Sequence, residues 1–249
     1  MEQRRKILVV NDDGIHSPLL ALLARHAAKY GLVDIVAPAS QCSAMSQRII
    51  IDRALQVETI EPAQLGLSDI PDIRSARSLD GTPADCVRYA CGCLLDEVPD
   101  IVFSGINDGY NAGVDILYSG TVGAAMQALV AGVPAIAFSL GRGAKDASVP
   151  EQYLDEVIEE LLSTPVGSDQ IWNVNFPNCV PELVKGILRD RIPDAGEFTA
   201  NVGYDLRQTE KGQEIFSYGI SLGGALPGSD KEALMDHYLS IGKLRCMVM

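Results

Sequence analysis

The chain has 249 residues, 47% of them hydrophobic, which suits one large α/β domain with a substantial core and argues against disorder. Its 33 acidic and 20 basic residues leave a net charge of −13, so a nucleic-acid polymer is disfavoured as partner: no excess of Lys and Arg is present to neutralise phosphates. Residues 1–6 lead into a four-residue apolar run, too short for a signal-peptide core, and no apolar run approaches the ~20 residues that span a membrane. The expectation is a soluble, cytoplasmic protein without a membrane partner.

In chain order, residues 6–10 read as a buried strand. Ser17 as N-cap and Pro18 at the first helical position open a helix that Gly31 closes, and residues 32–37 form a second strand. This strand–helix–strand unit seeds a parallel sheet with a right-handed crossover. Residues 39–48 read as a polar loop at the ligand edge, 49–60 as a hairpin arm and 66–78 as turn-rich. Thr82-Pro83-Ala84-Asp85 starts a helix to about Leu95, and residues 100–104 form a strand. A Gly- and Asn-rich loop over 105–120 precedes a helix at 121–131; a strand at 134–140, a helix at 150–162 and a strand at 171–176 follow. Residues 1–180 read as an α/β core and 181–249 as a partly β appendage within the same domain, with an exposed loop from Gly223 to Asp230.

The six cysteines (Cys42, Cys86, Cys91, Cys93, Cys179 and Cys246) read as thiols, since the crowding at 86–93 lacks the paired Cys-x-x-Cys spacing of a zinc site. His26 falls mid-helix and reads as packing, which leaves His16 as the plausible histidine acid/base.

The densest chemical signal is Asn11-Asp12-Asp13-Gly14, directly after the apolar run Ile7-Leu8-Val9-Val10. That position is the C-terminal edge of a parallel strand, where open α/β sheets bind ligands. Two adjacent carboxylates repel each other and resist desolvation unless a proton or cation compensates. A hard divalent ion suits them; a solvated Asx turn is the plain alternative. Ser104-Gly105-Ile106-Asn107-Asp108-Gly109-Tyr110-Asn111 emerges at the same edge and offers neutral oxygen acceptors and amide donors. Ser119-Gly120-Thr121 begins a helix whose exposed N–H groups form an anion site, or simply its cap. The Gly-x-x-x-x-Gly-Lys-Ser/Thr loop, the Gly-x-Gly-x-x-Gly loop after the first strand and the Gly-x-Ser-x-Gly elbow are all absent.

Asn11-Asp12-Asp13-Gly14, Ala37-Pro38, Gly81-Thr82-Pro83-Ala84-Asp85-Cys86-Val87, Ser104-Gly105-Ile106-Asn107, Tyr118-Ser119-Gly120-Thr121-Val122 and the paired Asn173 and Asn175 occur in order. Together they resemble the SurE family of survival-protein 5′/3′-nucleotidases. The resemblance implies a Rossmann-like three-layer α/β/α core with a mostly parallel sheet, and divalent-metal-dependent removal of phosphate from nucleoside 5′- or 3′-monophosphates. It implies one metal ion, magnesium or manganese with calcium as an alternative occupant, held by Asp12, Asp13, Ser43 and Asn107. Ser40 and Ser46 are alternatives to Ser43, because Ala39 and Cys42 stand where the family has an acidic residue and an arginine. Residues 236–244 replace the family's usual closing strand, and the appendage fits a homodimer or homotetramer.

On this reading Asn111, Ser119, Gly120 and Thr121 cradle the phosphate, and Asp12 and Asp13 are the catalytic pair. One carboxylate accepts the proton of an attacking water, or attacks directly to give an aspartyl-phosphate. The competing class is a non-catalytic, metal-dependent nucleotide-binding protein on the same fold.

Overall fold

Strand β1 (Arg5–Val10) lies at the centre of a nine-stranded sheet, buried from Ile7 to Val10. The computed structural model describes residues 4–143, 146–195, 202–219 and 224–247. The remaining elements are α1 (Pro18–Ala27), β2 (Gly31–Pro38), β3 (Val57–Thr59), β4 (Ile73–Leu79), α2 (Pro83–Tyr89), β5 (Ile101–Asp108), α3 (Gly120–Val130), β6 (Ala135–Leu140), α4 (Ser148–Ser163), β7 (Gln170–Phe176), β8 (Ile187–Arg191), β9 (Val202–Thr209), β10 (Gly212–Gly219), α5 (Asp230–Met235) and β11 (Leu239–Arg245). The main sheet runs β3-β4-β2-β1-β5-β6-β7-β11-β8, with β4 to β7 parallel. Helices cover both faces, α1 and α4 on one and α2 and α3 on the other. This is the Rossmann-like three-layer class that the resemblance implies, with the order of a doubly wound sheet and its switch point between β1 and β5.

The helix starts follow from local chemistry. The Thr82 hydroxyl accepts from the Asp85 N–H at 3.1 Å while the Asp85 carboxylate accepts from the Thr82 N–H at 3.1 Å, a reciprocal capping box. Pro18 and Pro83 occupy first-turn positions that need no N–H donor.

Three connections share one hand. From β1 the chain steps to β2 over the α1 face, whereas β4 to β5 and β5 to β6 step the opposite way over the other face. The β6-α4-β7 unit steps that opposite way yet crosses the α1 face, so it has the other hand, an exception to a rule obeyed in about 98% of cases. Its consequence is local: the start of α4 lies beside α1, next to the switch point.

Several expectations are corrected. The turn-rich reading of 66–78 hides β4, an inner strand whose Arg74 and Ser75 both bond the buried Asp34 carboxylate, so polar residues break the apolar pattern. The 49–60 arm pairs only through Val57–Thr59, antiparallel to β4. The strand expected to end at Ser104 continues to Asp108, and Asn107 and Asp108 pair with Ser139 and Leu140 of β6 beyond a register shift. Gly105 makes this close pairing feasible, with φ +134° and a hypothetical Cβ only 2.2 Å from the Phe138 carbonyl oxygen. The loop expected at 223–230 is not wholly exposed. Gly223 lies outside the described residues, and Ser229 and Asp230 are buried where Asp230 accepts from the Gly113 and Asp194 N–H groups, each at 2.9 Å. In the C-terminal third, β11 pairs antiparallel with β7, and β8 pairs with β11, so both extend the sheet, while β9 and β10 form a separate hairpin. All six cysteines are free thiols, and the buried His26 ring pairs with Asp155 at 2.7 Å. No helix among the described residues is long and apolar enough to cross a membrane.

Candidate active site

Asn11 closes the turn after β1. Its side-chain oxygen accepts from the Gly14 N–H at 3.2 Å, its amide nitrogen donates to the Gly14 carbonyl at 3.0 Å, and Gly14 takes φ +99°. The Asx turn is therefore real, but Asn11 makes it, and Asp12 and Asp13 are left to point elsewhere.

Asp12 is buried at 4% exposure. The Thr121 hydroxyl donates to its carboxylate at 2.6 Å. A Cβ on Gly120 would lie 2.9 Å from the Asp12 Cβ, so only glycine lets the first turn of α3 approach this closely. Burial pushes the Asp12 carboxyl up to about 6, the Thr121 hydrogen bond opposes that rise and the neighbouring Asp13 charge reinforces it. Asp13 is less buried and accepts from the Asp108 N–H at 3.1 Å. Burial raises its pKa as well, against the Asp108 N–H; the Asp108 charge adds to the rise, while Gln41 and Arg142 lower it.

A cavity of about 210 Å³ brings Asp12, Ser43, Asn107, Asn111 and Ser119 together. Asn107 donates through its amide nitrogen to the Gly109 carbonyl at 2.8 Å, which leaves its side-chain oxygen as the acceptor. Ser43 lines this cavity; Ser40 lines a different one, and the Ser46 N–H is held by the Tyr118 carbonyl at 3.0 Å. Asp13 borders a neighbouring cavity whose wall shares Gln41 and Asp108 with the first. The donor set is two carboxylates with neutral oxygens, the chemistry of a hard divalent ion. Among the described residues, no group of three or more His, Cys, Asp or Glu is placed to hold a metal. His16 is exposed and lines neither cavity.

The Ser119 hydroxyl oxygen accepts from the Val122 N–H at 3.0 Å and so caps α3, leaving its own O–H to donate toward the cavity it lines. Gly120 and Thr121 do not line that cavity: Gly120 packs on Asp12 and the Thr121 hydroxyl holds it.

Arg142 and Ser139 add to the residues expected, and the paired Asn173 and Asn175 gain a role. Arg142, directly after β6 and between two glycines, brings a guanidinium to the cavity; a basic residue just past a parallel strand is the signal that marks it. Asn175, Asn173 and Ser139 clamp Asn111. Asn175 accepts from the Asn111 N–H at 2.9 Å and donates to its carbonyl at 3.0 Å, Asn173 donates to that carbonyl at 2.9 Å, and the Ser139 hydroxyl accepts from the Asn111 side chain at 2.7 Å. The period-two spacing of the two asparagines puts them on one face of β7, which is the signal for a shared target.

The family model for survival protein SurE matches residues 7–194. A 5′-nucleotidase SurE from Carboxydothermus hydrogenoformans is 40% identical over 195 residues, covering 75% of this chain and 70% of that protein. The crystal structure of the SurE protein from Aquifex aeolicus superposes with a TM-score of 0.81 at 31% identity, covering 98% of this chain and 94% of that one.

Proposed function

This chain belongs to the survival protein SurE family, and on that premise we propose that it is a nucleotidase: a divalent-metal-dependent phosphomonoesterase acting on nucleoside 5′- or 3′-monophosphates. The observation that carries the reading is the acidic pair at the switch point, two adjacent carboxylates that burial disfavours in their charged forms. Asp12, Asp13, Ser43 and Asn107 would hold magnesium or manganese. When bound, that ion supplies positive charge against the phosphate oxygens and orients the attacking water.

The residues of the chain do the rest. The Ser119 O–H and the second amide hydrogen of Asn111, both in the wall of the cavity, donate to the phosphate. Arg142 adds charge that favours the transition state over the ground state. An Asp12 or Asp13 carboxylate accepts the proton of the attacking water, and the products are a nucleoside and inorganic phosphate.

A panel of 5′- and 3′-nucleoside monophosphates, assayed for phosphate release with magnesium or manganese, tests the reading. Release that a chelator abolishes is expected. Metal-dependent nucleotide binding with no release from any member would instead make the protein a non-catalytic binder.

A further inference from the structure

The acidic pair of the switch point lies where two cavities adjoin. Asp12 borders the cavity that holds Ser119 and Asn111, and Asp13 borders the neighbouring one, whose volume is about 790 Å³. That second cavity opens between α1 and the start of α4, the place to which the opposite-handed β6-α4-β7 connection brings α4. Gln41 and Asp108 stand in the wall of both, so the two cavities adjoin beside the acidic pair.

The chemistry of the larger cavity differs from that of the smaller. Leu19, Leu22, Leu65 and Leu140 give it an apolar lining. Its carboxylates are Asp13, Asp108, Asp146 and Glu151, and the guanidinium of its Arg25 is tied to Asp69 at 2.8 Å and the Gly66 carbonyl at 2.7 Å. Such a space repels a phosphate. It suits an uncharged body with a broad apolar face and O–H or N–H donors at its edges, because carboxylates accept hydrogen bonds.

We propose that this cavity seats the nucleoside half of the substrate, with the base against α1 and the ribose passing Gln41 and Asp108 toward the phosphate seat. The proposal rests on the phosphomonoesterase reading and names where the rest of the substrate goes. Leu22, one turn inside α1, is then a specificity-determining residue.

Adenosine, which carries no phosphate, is the probe. It is expected to bind the wild-type protein by calorimetry and to compete with AMP in the phosphate-release assay. Leu22→Trp fills the cavity and should weaken adenosine binding and raise the KM for AMP at least tenfold, with the inhibition constant for inorganic phosphate unmoved. Leu65→Trp, on another wall, should give the same split and serves if Leu22→Trp does not fold. Adenosine binding left intact in a folded, filled variant, or no adenosine binding to the wild type, overturns the proposal. Calorimetry needs no turnover, so it separates this outcome from a failure of the phosphomonoesterase reading, which is absence of phosphate release from AMP.

Discussion

Asp12 is a carboxylate that folding makes harder to ionise, and this has a sign that can be measured. Its ordinary pKa of 3.8 rises to about 6 in the fold. Below pH ~4 both folded and unfolded chains hold the proton and the residue contributes nothing. Between pH ~4 and ~6 the unfolded chain releases it first, so stability falls as pH rises, and the full penalty, on the order of 3 kcal/mol, is present above pH ~6. In chelator-treated protein, urea unfolding should therefore show Asp12→Asn gaining on the wild type across that window and staying ahead at pH 7. A difference that is flat in pH would contradict the burial of an uncompensated carboxylate. The acidic pair and Asn107 were legible in the sequence because each sits in a contiguous motif after an apolar strand. The bond from Thr121 to Asp12 was not, because it joins residues 109 positions apart whose types have many local uses.

Secondary-structure elements with local signals were readable, and those defined by partners were not. The Ser17-Pro18 and Thr82-Pro83 starts mark α1 and α2 within a few residues. Strand β4 escapes because Arg74 and Ser75 find their partner in Asp34 on β2, and the length of β5 depends on how Gly105 meets Phe138 of β6. Strand β7 has its own role, since its two asparagines hold the Asn111 backbone. Asn175→Ala removes two buried hydrogen bonds, which should cost about 2–4 kcal/mol by thermal unfolding and free Asn111 to drift. We expect kcat/KM for AMP to fall about 10- to 100-fold while the far-UV spectrum stays native. Wild-type kcat/KM in a folded Asn175→Ala protein would show that Asn111 needs no clamp.

Across the whole molecule, the parallel order β4-β2-β1-β5-β6-β7 turns scattered motifs into one place, because the ends of β1, β5, β6 and the start of α3 all meet at the switch point. The strand–helix alternation made that class readable. The hand of the α4 connection, which shapes the larger cavity, has no local signature. The β9–β10 hairpin stands outside the main sheet and exposes Tyr204, Leu206 and Ile215 on one face, and a two-stranded ribbon is marginally stable by itself. We propose that this face packs on a second copy of the chain in a homodimer or homotetramer. Light scattering should then report an oligomer for the wild type and a monomer for Leu206→Glu with Ile215→Glu; an unchanged mass would contradict that packing. On the proposed function, the acidic pair runs metal-dependent hydrolysis of a nucleotide. The most direct test measures phosphate release from AMP by wild type and Asp12→Asn, each stripped with chelator and then resupplied with magnesium or manganese. Turnover is expected only in the resupplied wild type, with Asp12→Asn folded and at least about 1,000-fold slower. Chelator-insensitive release, or full activity in Asp12→Asn, would contradict it.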